Sequence, residues 1–211
     1  MKSRKEKDKR KPVGMLLHST VPVRMSLFIM GAGQLMYRQW TKGCLYLLAL
    51  AATVWYMVQY GIRDIGGFFK LGATKADPWL GTKGDDSILM LLRGLLAFII
   101  IIAFLMLHAS NIRDIVHIEQ EKKKGNADIP FPKALRIFTD KKFYIVALAL
   151  PIAGVLVFNV IPIIFMILIS FTNYGGKIVP PELVDWIGFG NFSKILALSE
   201  IKYTFFRILG W

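Results

Sequence analysis

Three long apolar segments with almost no charged side chains constrain this chain more than any other feature. The first covers residues 43–62 and is uncharged, and the second covers residues 87–110 and holds one charged residue, Arg93. The third covers residues 143–171, within a stretch from 143 to 176 that lacks Asp, Glu, Lys, Arg and His. Roughly 20 helical residues cross the apolar core of a bilayer with every backbone hydrogen bond made internally. The sequence therefore predicts an all-α integral membrane protein with three transmembrane helices.

The third segment is longer than a bilayer is thick at about 1.5 Å per helical residue. A helical hairpin is the alternative, but a tight reversal in lipid would leave backbone groups without hydrogen-bond partners. Only Pro151, Gly154 and Asn159 interrupt the apolar run. One long, kinked helix is therefore expected rather than a hairpin.

The distribution of Lys and Arg predicts the orientation, because positive residues concentrate on the cytoplasmic side. Residues 1–12 hold seven of them and residues 111–142 hold eight, whereas residues 63–86 and 172–211 hold four each. Alternation of basic and less basic connections agrees with three spans. The N-terminus is therefore expected in the cytoplasm and the C-terminus outside, in a multi-pass protein of the plasma membrane.

The connecting segments complete the predicted organisation. Residues 1–20 are expected to be a basic cytoplasmic tail, and residues 111–142 a cytoplasmic helix and loop, with membrane lipid as a partner of the protein. Residues 63–86 and 172–211 are expected outside, the latter as a loop followed by an amphipathic helix. The apolar run within residues 21–42 is too short to span and is flanked by Arg24 and Arg38, which favours an interfacial or re-entrant helix.

The composition excludes several function classes. With 55% apolar and 19% charged residues, the net charge of +13 is explained by membrane-flanking basic residues, so no nucleic-acid partner is expected. The single cysteine, Cys44, allows no intrachain disulfide, and no metal-binding or cofactor-binding pattern occurs. No phosphate-binding loop or catalytic motif is found, so an enzyme is not expected.

Two short patterns in the last third of the chain resemble a known family. A proline-bearing apolar helix ends in Ser-Phe-Thr-Asn-Tyr, and a Trp-x-Gly-x-x-Asn-Phe element follows. Together with two additional N-terminal spans, they resemble the ABC-importer permeases of the maltose/maltodextrin family. The positions that match the family pattern are Pro162, Ser170, Phe171, Thr172, Asn173, Tyr174, Trp186, Gly188, Asn191 and Phe192.

This resemblance implies a role in ATP-driven carbohydrate import. The implied partners are a second permease subunit, ATP-binding cassette subunits that hydrolyse ATP, and an external sugar-binding protein. Permeases of this family present a cytoplasmic Glu-Ala-Ala loop to the ATPase, and this chain has no such run. The resemblance therefore implies an N-terminal portion of a permease, without residues assignable to sugar contact or ATPase coupling.

The sequence leaves open an alternative function for the chain and a second role for its external segment. The chain could be a membrane scaffold or assembly factor without transport activity. Within the family pattern, Pro162 is expected to kink the helix and Asn173 and Tyr174 to cap its outer end, with docking of the binding protein as a second role for the external segment.

Overall fold

The computed structural model describes residues 20–77, 79, 81–125, 143–175 and 183–211. The predicted basic tail lies outside these residues except for Thr20, as do the loop at 126–142 and the middle of the external loop at 176–182. Seven helices form the described part of the chain. They are α1 (Val21–Phe28), α2 (Ala32–Met36), α3 (Trp40–Lys70), α4 (Ser87–Lys123), α5 (residues 143–170), α6 (Gly190–Ala197) and α7 (Ser199–Leu209).

Helices α3, α4 and α5 are the three helices of the described chain that are long and apolar enough to cross a membrane. The predicted all-α architecture with three spans is therefore confirmed. The third apolar segment forms one continuous helix rather than a hairpin.

The helices run past the apolar segments because a helix ends where its backbone is capped, not where lipid ends. Helix α3 continues to Lys70, within the predicted external loop, and stops where Leu71 takes the left-handed conformation with φ 52°. Helix α4 continues to Lys123, as the helical spacing of Ile112, Ile115 and Ile118 predicts, and Gly125 follows with φ 77°.

Two of the long helices contain a π-helical turn. In α3 it covers Met57–Gly61, and in α5 it covers Leu156–Val160. The second π turn ends two residues before Pro162, which has no N–H to bond the carbonyl four residues earlier. The wider turn thus lies where the regular helical hydrogen-bond pattern is interrupted in any case.

The chain divides into two compact units. The first comprises residues 1–55 and 101–143, and the second comprises residues 56–100 and 144–211. In the first unit, α1 and α2 replace the single interfacial helix expected over residues 21–42. The chain reverses between them at Gly31, where φ is 92° and an added Cβ would lie 2.5 Å from the carbonyl oxygen of Gly43.

The core of the first unit is small. Val23 of α1 packs with Ile115 and Ile118 of α4, with Tyr37 and Val116 at its edge. These contacts place α1, and Tyr37 directly after α2, against α4. We call residues 21–36 the N-terminal hairpin.

In the second unit, the described residues between α5 and Gly190, which are residues 171–175 and 183–189, lie outside helices. Thr172 and Trp186 form an isolated antiparallel bridge. The expected amphipathic helix is present as two pieces, α6 and α7, which are separated at Leu198 by an extended backbone conformation.

Candidate functional site

The family-pattern residues form a compact cap at the carboxyl end of α5. We call residues 170–174 and 186–192 the motif segment. Backbone hydrogen bonds join its two halves, because Asn173 N donates to the carbonyl of Asp185 at 3.0 Å and Ile187 N donates to that of Phe171 at 2.9 Å. The amide of Asp185 donates in turn to Oδ1 of Asn173 at 2.8 Å. Residues more than ten positions apart are thereby fixed together.

Asn191 supplies hydrogen-bond donors to the carbonyl groups at the end of α5. Its Nδ2 donates to the carbonyls of Ser170 at 2.9 Å and Thr172 at 2.8 Å. The last carbonyls of a helix have no partner within it, so a side-chain donor at this position stabilises the terminus. Thr172 is fully buried, and its hydroxyl donates to the carbonyl of Ile169 at 2.7 Å.

Aromatic residues surround this cap. The ring of Phe171 lies 5.3 Å from the rings of both Phe189 and Phe192, in tilted or edge-on arrangements. Gly188 precedes Phe189 with φ 56°, a left-handed conformation that suits glycine. The turn at Gly188 therefore brings the following aromatic residues back to the end of α5.

Trp186 connects the motif segment to the end of α3. Its indole Nε1 donates to the carbonyl of Phe68 at 3.0 Å, and the two rings are 5.5 Å apart. Phe68 also packs against Phe98 and lies directly over Gly94, where any Cβ would collide with the Phe68 side chain. Glycine at position 94 is thus what allows α3 and α4 to approach at this level.

A second connection lies nearby at Ser87, the first residue of α4. Its hydroxyl donates to the carbonyl of Leu71 and accepts a bond from the amide of Val184 at 2.9 Å. Ser87, Leu71 and Val184 are each only 1% exposed. The segment before Trp186 is therefore hydrogen-bonded to the start of α4, and through it to the end of α3.

The structure brings nine of the ten family-pattern positions together and leaves one apart. Pro162 lies eight residues before Ser170 in α5, about 12 Å along the helix axis at 1.5 Å per residue. The side-chain donors of Asn191 and Trp186 are occupied by backbone carbonyls within the chain. Tyr174 and Phe192 are exposed. This arrangement suits a structural cap that presents an outer surface better than it suits a sugar-binding pocket.

A buried polar network in the first unit was not predicted from the sequence. Asn111 of α4 is its centre: Oδ1 accepts bonds from the amide of Gly31 at 3.2 Å and from Nε2 of Gln34 at 2.9 Å. Nδ2 of Asn111 donates to the carbonyl of Ser26 at 3.2 Å. The amide of Gly33 donates to the Ser26 hydroxyl at 2.9 Å, and that hydroxyl donates to Oε1 of Gln34 at 3.2 Å.

Ser26, Gln34 and Asn111 are all fully buried. The available signal was the occurrence of Ser26 and Gln34 in an otherwise apolar run beside Gly31 and Gly33. Without a partner from α4, those residues indicated only a turn.

Charged residues make three further contacts between α4 and the first part of the chain, at α3 and at the two residues that flank the hairpin. Lys42 Nζ lies 2.9 Å from the Asp114 carboxylate, and both side chains are largely shielded. At the start of α1, the amide of Thr20 donates to Glu119 at 3.4 Å, and Glu119 is paired with Lys123 at 2.6 Å. The Lys122 ammonium lies 4.4 Å from the centre of the Tyr37 ring, a cation–π distance.

Comparison with known proteins finds relatives among permeases of sugar transport systems. The chain is 30% identical to the maltodextrin transport system permease protein MdxF of Bacillus subtilis, over 87% of this chain and 41% of that protein. It is 29% identical to the maltodextrin transport system permease protein MalC of Streptococcus pneumoniae, over 97% of the chain and 44% of the relative. The galactooligosaccharides transport system permease protein GanP of Bacillus subtilis is 29% identical over 92% of the chain and 45% of its own length. No protein-family model and no solved structure matches.

This chain is therefore a membrane protein homologous to permease subunits of ABC transporters for sugars. Within that class, its curated relatives include permeases for maltodextrin and galactooligosaccharides, which confirms the resemblance of the chain to the maltodextrin permease family. The chain spans less than half the length of the curated relatives it matches.

Proposed function

We propose that this chain is the N-terminal portion of a permease subunit that imports oligosaccharides, with maltodextrins as the first candidate substrate. The observation that carries the proposal is similarity to maltodextrin permeases over 87% or more of the chain, all three membrane helices included. The relatives named for maltodextrin and for galactooligosaccharides are 30% and 29% identical to the chain. The proposed substrate class is therefore oligosaccharides rather than one particular sugar.

The surface of α5 supports assembly with further membrane helices. The apolar window within Ala147–Ser170 is not buried by any described part of the chain. Leu150, Phe158 and Met166 are among its most exposed side chains. Such a helix suits a permease core completed by other spans and by a second permease subunit. ATP hydrolysis in this proposal belongs to separate ATP-binding cassette subunits.

The motif segment offers a surface for an external sugar-binding protein. Its polar donors hold the cap together, while Tyr174, Phe189 and Phe192 are exposed around it. Exposed aromatic side chains on a rigid support are typical of protein contact surfaces. In this proposal the cap positions the contact surface and does not itself bind sugar.

Transport is tested by deleting the gene that encodes this chain in its host and measuring uptake of labelled maltotriose and a labelled galactooligosaccharide. We expect maltotriose uptake to be lost and to return on complementation, with glucose uptake as the unaffected control. Loss of galactooligosaccharide uptake alone would reassign the substrate. Unchanged uptake of both sugars would favour the membrane scaffold and contradict the permease proposal.

The proposed orientation has the N-terminus in the cytoplasm. Single cysteines at Lys75 and Lys123, in a chain whose exposed Cys44 is replaced by serine, test it directly. We expect an impermeant thiol reagent added to intact cells to label position 75 and to label position 123 only after lysis. The reverse pattern would invert the topology.

A further inference from the structure

The N-terminal hairpin has two different faces. Val23, Ser26 and Met30 are fully buried on one side. On the other side of α1, Val21, Met25 and Phe28 recur at helical spacing and carry exposed apolar side chains, and Ile29, which follows α1 in an extended conformation, is also exposed. Phe28 is 85% exposed. Adjacent exposed apolar side chains of this kind are typical of a surface that contacts a membrane or a partner. We call Val21, Met25, Phe28 and Ile29 the apolar stripe.

Backbone amides at the reversal of the chain are hydrogen-bonded to protein groups. The amides of Gly31 and Gly33 bond to Asn111 and Ser26, and the amide of Ala32 bonds to the carbonyl of Ile29 at 3.1 Å. Irregular backbone is tolerated at membrane depth only where protein groups satisfy it. The Asn111 network meets this condition, so the hairpin is suited to an apolar environment.

The apolar stripe has a continuation on the first spanning helix. Met36 and Trp40 are exposed at the end of α2 and the start of α3, and Leu45 and Leu48 follow on α3. Tryptophan is enriched where a helix passes the membrane interface. The exposed apolar residues of the hairpin and of the start of α3 therefore belong to the same unit.

Basic residues flank this apolar surface. Arg24 lies beside the stripe in α1, and Arg38 is exposed after α2. Long basic side chains can extend from an apolar surface to phosphate headgroups. Cytoplasmic leaflets carry anionic lipid that attracts such clusters.

We propose that the N-terminal hairpin is a re-entrant element that inserts into one leaflet of the bilayer. Its apolar stripe contacts lipid acyl chains, and its flanking arginines contact anionic headgroups. Assignment to the cytoplasmic leaflet rests on the orientation proposed above, whereas contact with lipid does not.

Lipid contact is tested with an environment-sensitive fluorophore on a single cysteine, in the full chain with Cys44 replaced by serine. Phe28→Cys and Met25→Cys are the test positions, and Leu48→Cys on α3 and Met30→Cys in the core are the controls for lipid exposure and burial. The chain is reconstituted in phosphatidylcholine vesicles that contain phosphatidylglycerol and brominated lipid. We expect loss of fluorescence at 28 and 25 similar to that at 48, and little loss at 30.

Each other result overturns the proposal in a specific way. Quenching at 28 and 25 by aqueous iodide instead of brominated lipid would place the stripe in water. Protection from both quenchers would mean that protein covers it. If vesicles of phosphatidylcholine alone give the same lipid quenching, and Arg38→Gln changes nothing, the assignment of anionic headgroups is wrong.

Discussion

An asparagine carboxamide satisfies backbone groups in both units of this protein, but in different surroundings. Asn111 is fully buried and bonds to the Gly31 amide, the Gln34 side chain and the Ser26 carbonyl. Asn191 is partly buried and donates to two carbonyls at the end of α5. The first fixes a reversal of the chain against a neighbouring helix, and the second closes a helix terminus. The difference predicts that loss of Asn111 is the more costly, because water cannot replace its bonds.

Asn111→Leu is expected to have the largest effect. It leaves a buried amide, a buried carboxamide and a buried carbonyl without this partner, and unsatisfied buried groups cost about 1–3 kcal/mol each. We expect the free energy of unfolding in detergent to fall by about 3 kcal/mol. Ser110→Ala is the matched control, because that exposed hydroxyl bonds only to the Met106 carbonyl of its own helix. Equal stability of the two variants would contradict the role of Asn111.

Asn191→Ala should have a smaller effect, of about 2 kcal/mol, because Asn191 and Ser170 are only partly buried, so that water can replace part of what the side chain donates. Faster hydrogen exchange should be confined to the motif segment and to Val184 and Asp185. Ser193→Ala, an exposed position in the same helix, should match the unchanged chain. Global loosening of the first unit in Asn191→Ala would argue that the cap is not a local device.

Trp186→Phe isolates one bond of the second unit. The aromatic contact with Phe68 is retained while the bond from Nε1 to the Phe68 carbonyl is removed. A neutral hydrogen bond contributes about 1 kcal/mol, which is the expected loss in the free energy of unfolding. Trp79→Phe provides the comparison, since Trp79 is 97% exposed. If both substitutions have the same effect, the Trp186 bond adds nothing.

The smallest expected effect concerns the loop between α3 and α4. The backbone amides of Ala73 and Thr74 donate to the Asp85 carboxylate at 2.9 Å and hold its pKa below the usual aspartate value. The carboxylate's contribution to loop stability is therefore present above the ordinary aspartate pKa and is lost as pH falls through the lowered one.

Hydrogen exchange at Ala73 and Thr74 measures this contribution. At neutral pH we expect these amides to be less protected in Asp85→Asn than in the unchanged chain. In Asp85→Asn, lowering the pH should cause no further loss of their protection. Asp185→Asn, at an exposed aspartate directly before Trp186, should leave this protection unchanged. Identical protection profiles in Asp85→Asn and the unchanged chain would rule out the carboxylate as the cause.

The sequence predicted the membrane helices well because uncharged apolar runs leave few alternatives. It did not predict where α3 ends, since the left-handed cap at Leu71 depends on backbone geometry that no residue pattern around it specifies. The Asn191 cap was recognisable as part of a family pattern, although its bonds were not. The Asn111 network joins Ser26 and Gln34 to a residue about 80 positions away, and only tertiary structure brings such groups together.

The π turns in α3 and α5 have a consequence for how these helices can vary. Each adds about one residue to a turn, which shifts every later side chain by about 100° around the helix axis. Side chains before and after Met57–Gly61 are therefore offset from one another around the helix axis. A single helical wheel drawn for the whole of α3 would assign one of these two halves of the helix to the wrong face. Removal of a single residue inside this turn can be absorbed by a return to regular α-helix, whereas the same deletion near Leu48 would turn every following contact away from its partner.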